Sequence, residues 1–252
     1  MAEPLSETPH SAPIAGDLFD ATDILPAWPT DPDGEPLDVL HDREYRVRAF
    51  RLADDVLLIR GAVRDQKPPG LYLPDDPEPL TIHHMQVDLE IGFPSLEIVG
   101  ARVEFLTHPS AGCPVITEHY RELIGLSIAR GFINRVRELF GGPRGCTHTT
   151  ALLQAMAPVA IQSIWSMRSY TARRDETDGD VSALADRPEP SEEERRQMWQ
   201  MNVNTCHLWA EDGEQVRRLE AGEGMVEPPL FAAARMVKLG MKPDDWHRRM
   251  RG

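Results

Sequence analysis

Ile82-His83-His84-Met85-Gln86-Val87-Asp88-Leu89-Glu90-Ile91 alternates strictly between two kinds of side chain. Successive residues of a strand point to opposite faces, so His83, Met85, Val87, Leu89 and Ile91 share one side and His84, Gln86, Asp88 and Glu90 the other. The segment therefore reads as a half-buried antiparallel strand with one imidazole among its apolar residues. Gly92-Phe93-Pro94-Ser95 supplies a turn, and Leu96 to Phe105 returns as its hairpin partner.

A first hairpin lies upstream. From Tyr45, Val47, Ala49 and Arg51 alternate with Arg48, Phe50 and Leu52, Asp54-Asp55 turns the chain, and Val56-Leu57-Leu58-Ile59 begins the return. That strand runs through Asp65 and stops at Lys67-Pro68-Pro69-Gly70, where two prolines withhold ladder donors. The parity that buries Leu57, Ile59 and Val63 also turns Asp65 inward. Asp65 and His83 are thus two ionisable groups expected on the core side at strand ends.

After Pro109-Ser110-Ala111-Gly112-Cys113-Pro114 the period becomes helical, predicting a short helix over Thr117–Ile124 and a longer one over Ile128–Phe140. A third opens near Cys146 and carries Leu152, Leu153, Met156, Val159, Ala160 and Ile164, with Pro158 expected to kink it. The fold class is α+β: an antiparallel sheet of two hairpins packed against helices, with a helical C-terminal tail. Residues 1–40 are rich in Pro, Asp and Glu and read as a flexible arm, 41–170 as the core domain, 171–190 as a linker and 191–252 as the tail. In the tail, Ser191-Glu192-Glu193-Glu194 is a good helix start, followed by candidate helices at Glu214–Leu219, Phe231–Leu239 and Asp244–Met250.

Composition narrows the function. A formal net charge of -14 over 252 residues argues against nucleic acid and anionic membrane as partners, since both require clustered cations. No apolar run approaches the roughly 20 residues of a membrane-spanning helix. Three cysteines are too few for a disulfide framework, and the N-terminus lacks a basic region followed by an apolar run, so a cytoplasmic protein is expected. A small-molecule substrate fits these bounds, and the oligomeric state stays open.

The chemistry concentrates at Gly141-Gly142-Pro143-Arg144-Gly145-Cys146-Thr147-His148. A thiol at a helix start feels the positive end of the helix dipole, which favours thiolate, and an imidazole two residues away can share a ligand shell or trade a proton. His83 and Cys113 can reach the same point if the sheet and the following loop converge on it. Mixed thiolate and imidazole donors suit zinc or iron, which makes His83, Cys113, Cys146 and His148 the candidate metal ligands. A cofactor-free enzyme remains the alternative, with Cys146 as nucleophile and His148 or His83 as base. Asp65 is open to two roles, fixing the tautomer of an imidazole or capping the turn before Lys67-Pro68. Cys206-His207, between Trp199 and Trp209, reads as packing.

Ile82-His83-His84-Met85, the Pro109 to Cys113 loop and Gly145-Cys146-Thr147-His148 together resemble a bacterial family of unknown function, over about Tyr45 to Ala160. Thr149 stands where that pattern leads one to expect leucine. The chain is more distantly similar to the iron-sulfur cluster scaffold fold, in which a hairpin sheet precedes a cysteine loop and a helix beginning with cysteine. That likeness implies ligand positions at His83, Cys113 and Cys146 and a role as cluster scaffold or carrier, although a histidine replaces one of the scaffold's three cysteines.

Overall fold

A computed structural model describes residues 24–25, 28–129, 131–177, 193, 196, 199–200, 202–222 and 230–243. Strands β1 (Asp42–Ala53), β2 (Val56–Lys67), β3 (Leu80–Gly92) and β4 (Ile98–Thr107) form one antiparallel sheet in the order β1-β2-β3-β4. Helices α1 (Phe132–Phe140) and α2 (Thr147–Thr177) follow, and the tail contributes α3 (Glu214–Glu220) and α4 (Leu230–Lys238). The α+β class and the antiparallel pair of hairpins are as the alternation of side chains requires.

Parity decides what the sheet buries. Leu57, Ile59, Val63, Met85, Val87, Leu89 and Ile91 are almost fully inaccessible and join one apolar core with Leu152, Leu153 and Met156 of α2. The opposite face is left to charge: Arg60 on β2 makes two hydrogen bonds to Asp88 on β3, and Arg64 bonds Glu44 on β1. Helix α2 packs across β1, β2 and β3, and α1 packs on α2. The approach over β2 is close, since a Cβ at Gly61 would lie 2.8 Å from Met156 Sδ. Thr149 is fully buried, in a place suited to an apolar side chain.

Three boundaries differ from expectation. The helix expected over Ile128–Phe140 begins only at Phe132, because Ile128 N–H is committed to Leu96 O and Ile98 N–H to Leu126 O, so residues 125–128 run beside the start of β4. Cys113 is not in a loop but opens a 3-10 helix over Cys113–Leu123, where Pro114 needs no amide partner. Helix α2 continues through Pro158 to Thr177, seven residues into the stretch read as linker. The rest of that stretch, residues 1–23 and the expected Asp244–Met250 helix lie outside the described residues. Among the described residues, no helix is long and apolar enough to cross a membrane.

The two faces should respond differently to truncation. Ile59→Ala, at a fully buried position, should cost about 2–5 kcal/mol in urea unfolding. Phe50→Ala, on the open face and 45% exposed, should cost less than about 1 kcal/mol. Equal losses would mean that the sheet buries its other side.

Candidate metal centre

Asp65 is the hub of the site, at 1% exposure. Its position follows from register: Arg43 on β1 pairs directly with Asp65 on β2, which pairs directly with His83 on β3. All three side chains take the inward parity, so they lie side by side on the face that α2 covers. Arg43 grips the carboxylate with Nε at 2.6 Å from Oδ1 and a terminal nitrogen at 2.7 Å from Oδ2. His83 Nδ1 lies 3.1 Å from Oδ2, and His41 Nε2 lies 3.6 Å from Oδ1.

The fourth arm comes from 83 residues beyond Asp65. His148, in the first turn of α2, places Nε2 at 3.0 Å from Asp65 Oδ2 and stacks on the His83 ring with centroids 4.0 Å apart. The helix start that aims it is tightly built. Tyr120, buried in the 3-10 helix, accepts the Cys146 amide proton at 2.7 Å, while a Cβ at Gly145 would meet Phe140 O at 2.5 Å. Only glycine fits there.

Electrostatics at the hub set charge against burial. Burial works to raise the Asp65 carboxyl, but the hydrogen bonds and charge of Arg43, helped by His148 and His41, outweigh it and hold the group well below the usual carboxylate range. Arg43 is driven the other way, chiefly by its hydrogen bonds to Asp65. Burial lowers His148, as do neighbouring His83 and Arg43, against the pull of Asp65. A neutral imidazole follows, which is the form that ligates metal or accepts a proton.

Asp65, His83 and His148 each offer one ligand atom, all within 4.8 Å of one another, and so form a candidate metal-binding group. The set differs from the one expected, in that a carboxylate stands where two thiolates were anticipated. Cys113 and Cys146 do converge on the same place, since both line a cavity of about 270 Å³ with His83, Met85, Phe105, Ile116, Pro143, Gly145 and His148. They lie outside the cluster, and the nearest approach is Cys146 Sγ to His148 Nδ1 at 3.8 Å. Asp65 caps no turn; it sits within the β2 ladder. Cys206 is exposed rather than packed.

Arg43 lies ahead of the alternation that starts at Tyr45, and the structure adds it to the site. The period-two parity of Val47, Ala49 and Arg51, carried back to residue 43, turns Arg43 inward, and the strand register sets it opposite Asp65. On the other face of the sheet Arg64 is occupied by Glu44, and Arg144 bonds Arg137 O.

Fold and site together define an α+β protein with a candidate Asp/His/His metal group facing a cavity. Residues 41–162 match the model of a family described as "Protein of unknown function (DUF2889)", a span that contains every residue of the cluster and both cavity cysteines. No curated protein and no solved structure matches the chain.

Loss of the clamp should be costly. Arg43→Met leaves a buried carboxylate with imidazoles alone, and the expected loss is about 2–3 kcal/mol, below the 3–5 typical of fully buried pairs because the guanidinium is a third exposed. The Asp65 carboxyl titrates lower folded than unfolded, so its contribution is complete above about pH 4–5 and disappears as the pH falls through the folded value. Urea unfolding of both proteins at pH 7 and pH 3 should show a gap that narrows in acid; a constant gap would remove Asp65 as the partner that matters.

Proposed function

We propose that Asp65, His83 and His148 hold a zinc or iron ion and that the protein is a metal-dependent, small-molecule enzyme. The observation that carries the reading is the spacing of the donors, 3.0 Å from Asp65 Oδ2 to His148 Nε2 and 3.1 Å to His83 Nδ1. Two donors each about 2.1 Å from one ion, at right angles, lie about 3.0 Å apart. Two imidazoles with one carboxylate is a set that leaves coordination positions open and suits iron(II) or catalytic zinc. A bound ion there would act as a Lewis acid or activate water.

The surroundings fit this use. Each carboxylate oxygen has two lone pairs, so Oδ2 can serve Arg43 and an ion together. With Nε2 of His148 on the ion, its Nδ1–H faces the Cys146 sulfur at 3.8 Å, the kind of acceptor that orients a ligand imidazole. Cys146 is then a positioning residue, and Cys113 part of the cavity wall.

A second reading is favoured by one feature, the chain from Cys146 Sγ to His148 Nδ1 and from His148 Nε2 to Asp65. Nucleophile, base and orienting acid stand in that order in thiol enzymes. Against it, the Cys146 amide is spent on Tyr120 rather than free to stabilise an oxyanion.

Elemental analysis of protein purified without added metal separates the readings. The metal reading expects about one zinc or iron per chain, reduced at least tenfold in Asp65→Asn, His83→Ala and His148→Ala and retained in Cys113→Ser. Wild-type protein free of metal, with Cys146 alkylated rapidly by iodoacetamide below pH 7, would transfer the assignment to the thiol. Iron accompanied by acid-labile sulfide would point instead to a cluster scaffold or carrier.

A further inference from the structure

The cavity beside the cluster is lined by two chemically different sets of residues. His83, His148, Cys113 and Cys146 bring donor atoms to its lining, and Met85, Phe105, Ile116 and Pro143 bring apolar groups. The apolar set draws on four separate elements: Met85 from β3, Phe105 from β4, Ile116 from the 3-10 helix, and Pro143 from the turn before α2. Met85 is 1% exposed, and Phe105 and Ile116 are packed against the core, so this wall is fixed rather than a loose surface patch.

Charge in the lining points the same way. No Lys or Arg is among the lining residues; Arg144, between Pro143 and Gly145, donates to Arg137 O, and Arg43 is committed to Asp65 through both carboxylate oxygens. A carboxylate or phosphate on the far part of a ligand would find no counter-charge on that wall. An apolar group would replace water there at a gain that scales with the area it buries.

Resting on the metal reading above, we infer that the substrate is a small molecule presenting an oxygen donor to the Asp65/His83/His148 ion and an aryl or branched alkyl group to the Met85–Phe105–Ile116–Pro143 wall. The volume of about 270 Å³ admits one such group and a short linking unit, at the lower edge of small-molecule pockets. The two ends of the ligand are read by different residues, which allows them to be tested separately.

Acetohydroxamate and benzohydroxamate serve as probes, because both offer the same chelating oxygens and differ in the group sent to the wall. Calorimetric titration of the full-length, metal-loaded protein should show benzohydroxamate binding about tenfold tighter or better. Phe105→Ala should reduce that preference to threefold or less while leaving metal content and acetohydroxamate affinity unchanged. Ile116→Ala, should Phe105→Ala fold poorly, is expected to act in the same direction. Equal affinity of the two probes in wild type, or a preference untouched by either substitution, would overturn the apolar wall as a substrate site while leaving the metal in place. Failure of both probes on protein that holds its metal would show a closed coordination sphere and overturn the inference alone. Absence of metal overturns the inference together with the reading beneath it.

Discussion

A buried carboxylate that must stay charged organises this fold. Taking Asp65 out of water costs several kcal/mol unless its oxygens are satisfied, and here four groups from β1, β3, α2 and the approach to β1 surround it. The consequence reaches beyond the site. Strand β1 is an edge strand whose inward residues are mostly small or partly exposed, with Val47 its contribution to the core margin. The Arg43–Asp65 clamp therefore does for the start of β1 what apolar packing does for β2 and β3.

How much of this was legible depended on whether geometry or affinity carried the reading. Period-two alternation fixed the inward residues from Leu57 to Asp65 and from His83 to Ile91, because a strand has only two faces and one of them must be buried. The same rule would have reached Arg43 had the strand been followed past Tyr45 to its paired end. The metal ligands were ranked instead by donor chemistry, which favoured thiolates. Parity had already turned Asp65 and His83 to one side, but adjacent strands also needed pairing before the two could be set next to each other. Cys113 lay beyond any such rule, since its direction is decided by a 3-10 helix that begins ahead of the helical period read from Thr117.

His148 shows how a helix can deliver a group across sequence. It precedes Leu152 by four residues, and positions four apart on a helix share a face, so the stripe that buries Leu152 and Met156 on the sheet also brings His148 to its end. What sets the axial position is the turn before it. Phe140 O fills the space at Gly145 where a Cβ would stand, and Tyr120 holds the Cys146 amide, which pins the first turn of α2 to the 3-10 helix as well as to the sheet. Cys113 is carried on that same 3-10 helix, so both cavity thiols and one imidazole share a single support.

The charge state of His148 bears on both chemical readings. Burial, the stacked His83 ring and Arg43 all work against a proton on it, and Asp65, already divided between Arg43 and two imidazoles, opposes them only in part. A neutral imidazole suits metal ligation directly. It also sets the terms for a Cys146 nucleophile, since a neutral imidazole 3.8 Å from the sulfur is the form able to accept the thiol proton. The Arg43 clamp on Asp65 thus helps keep His148 in the neutral form that either chemistry starts from.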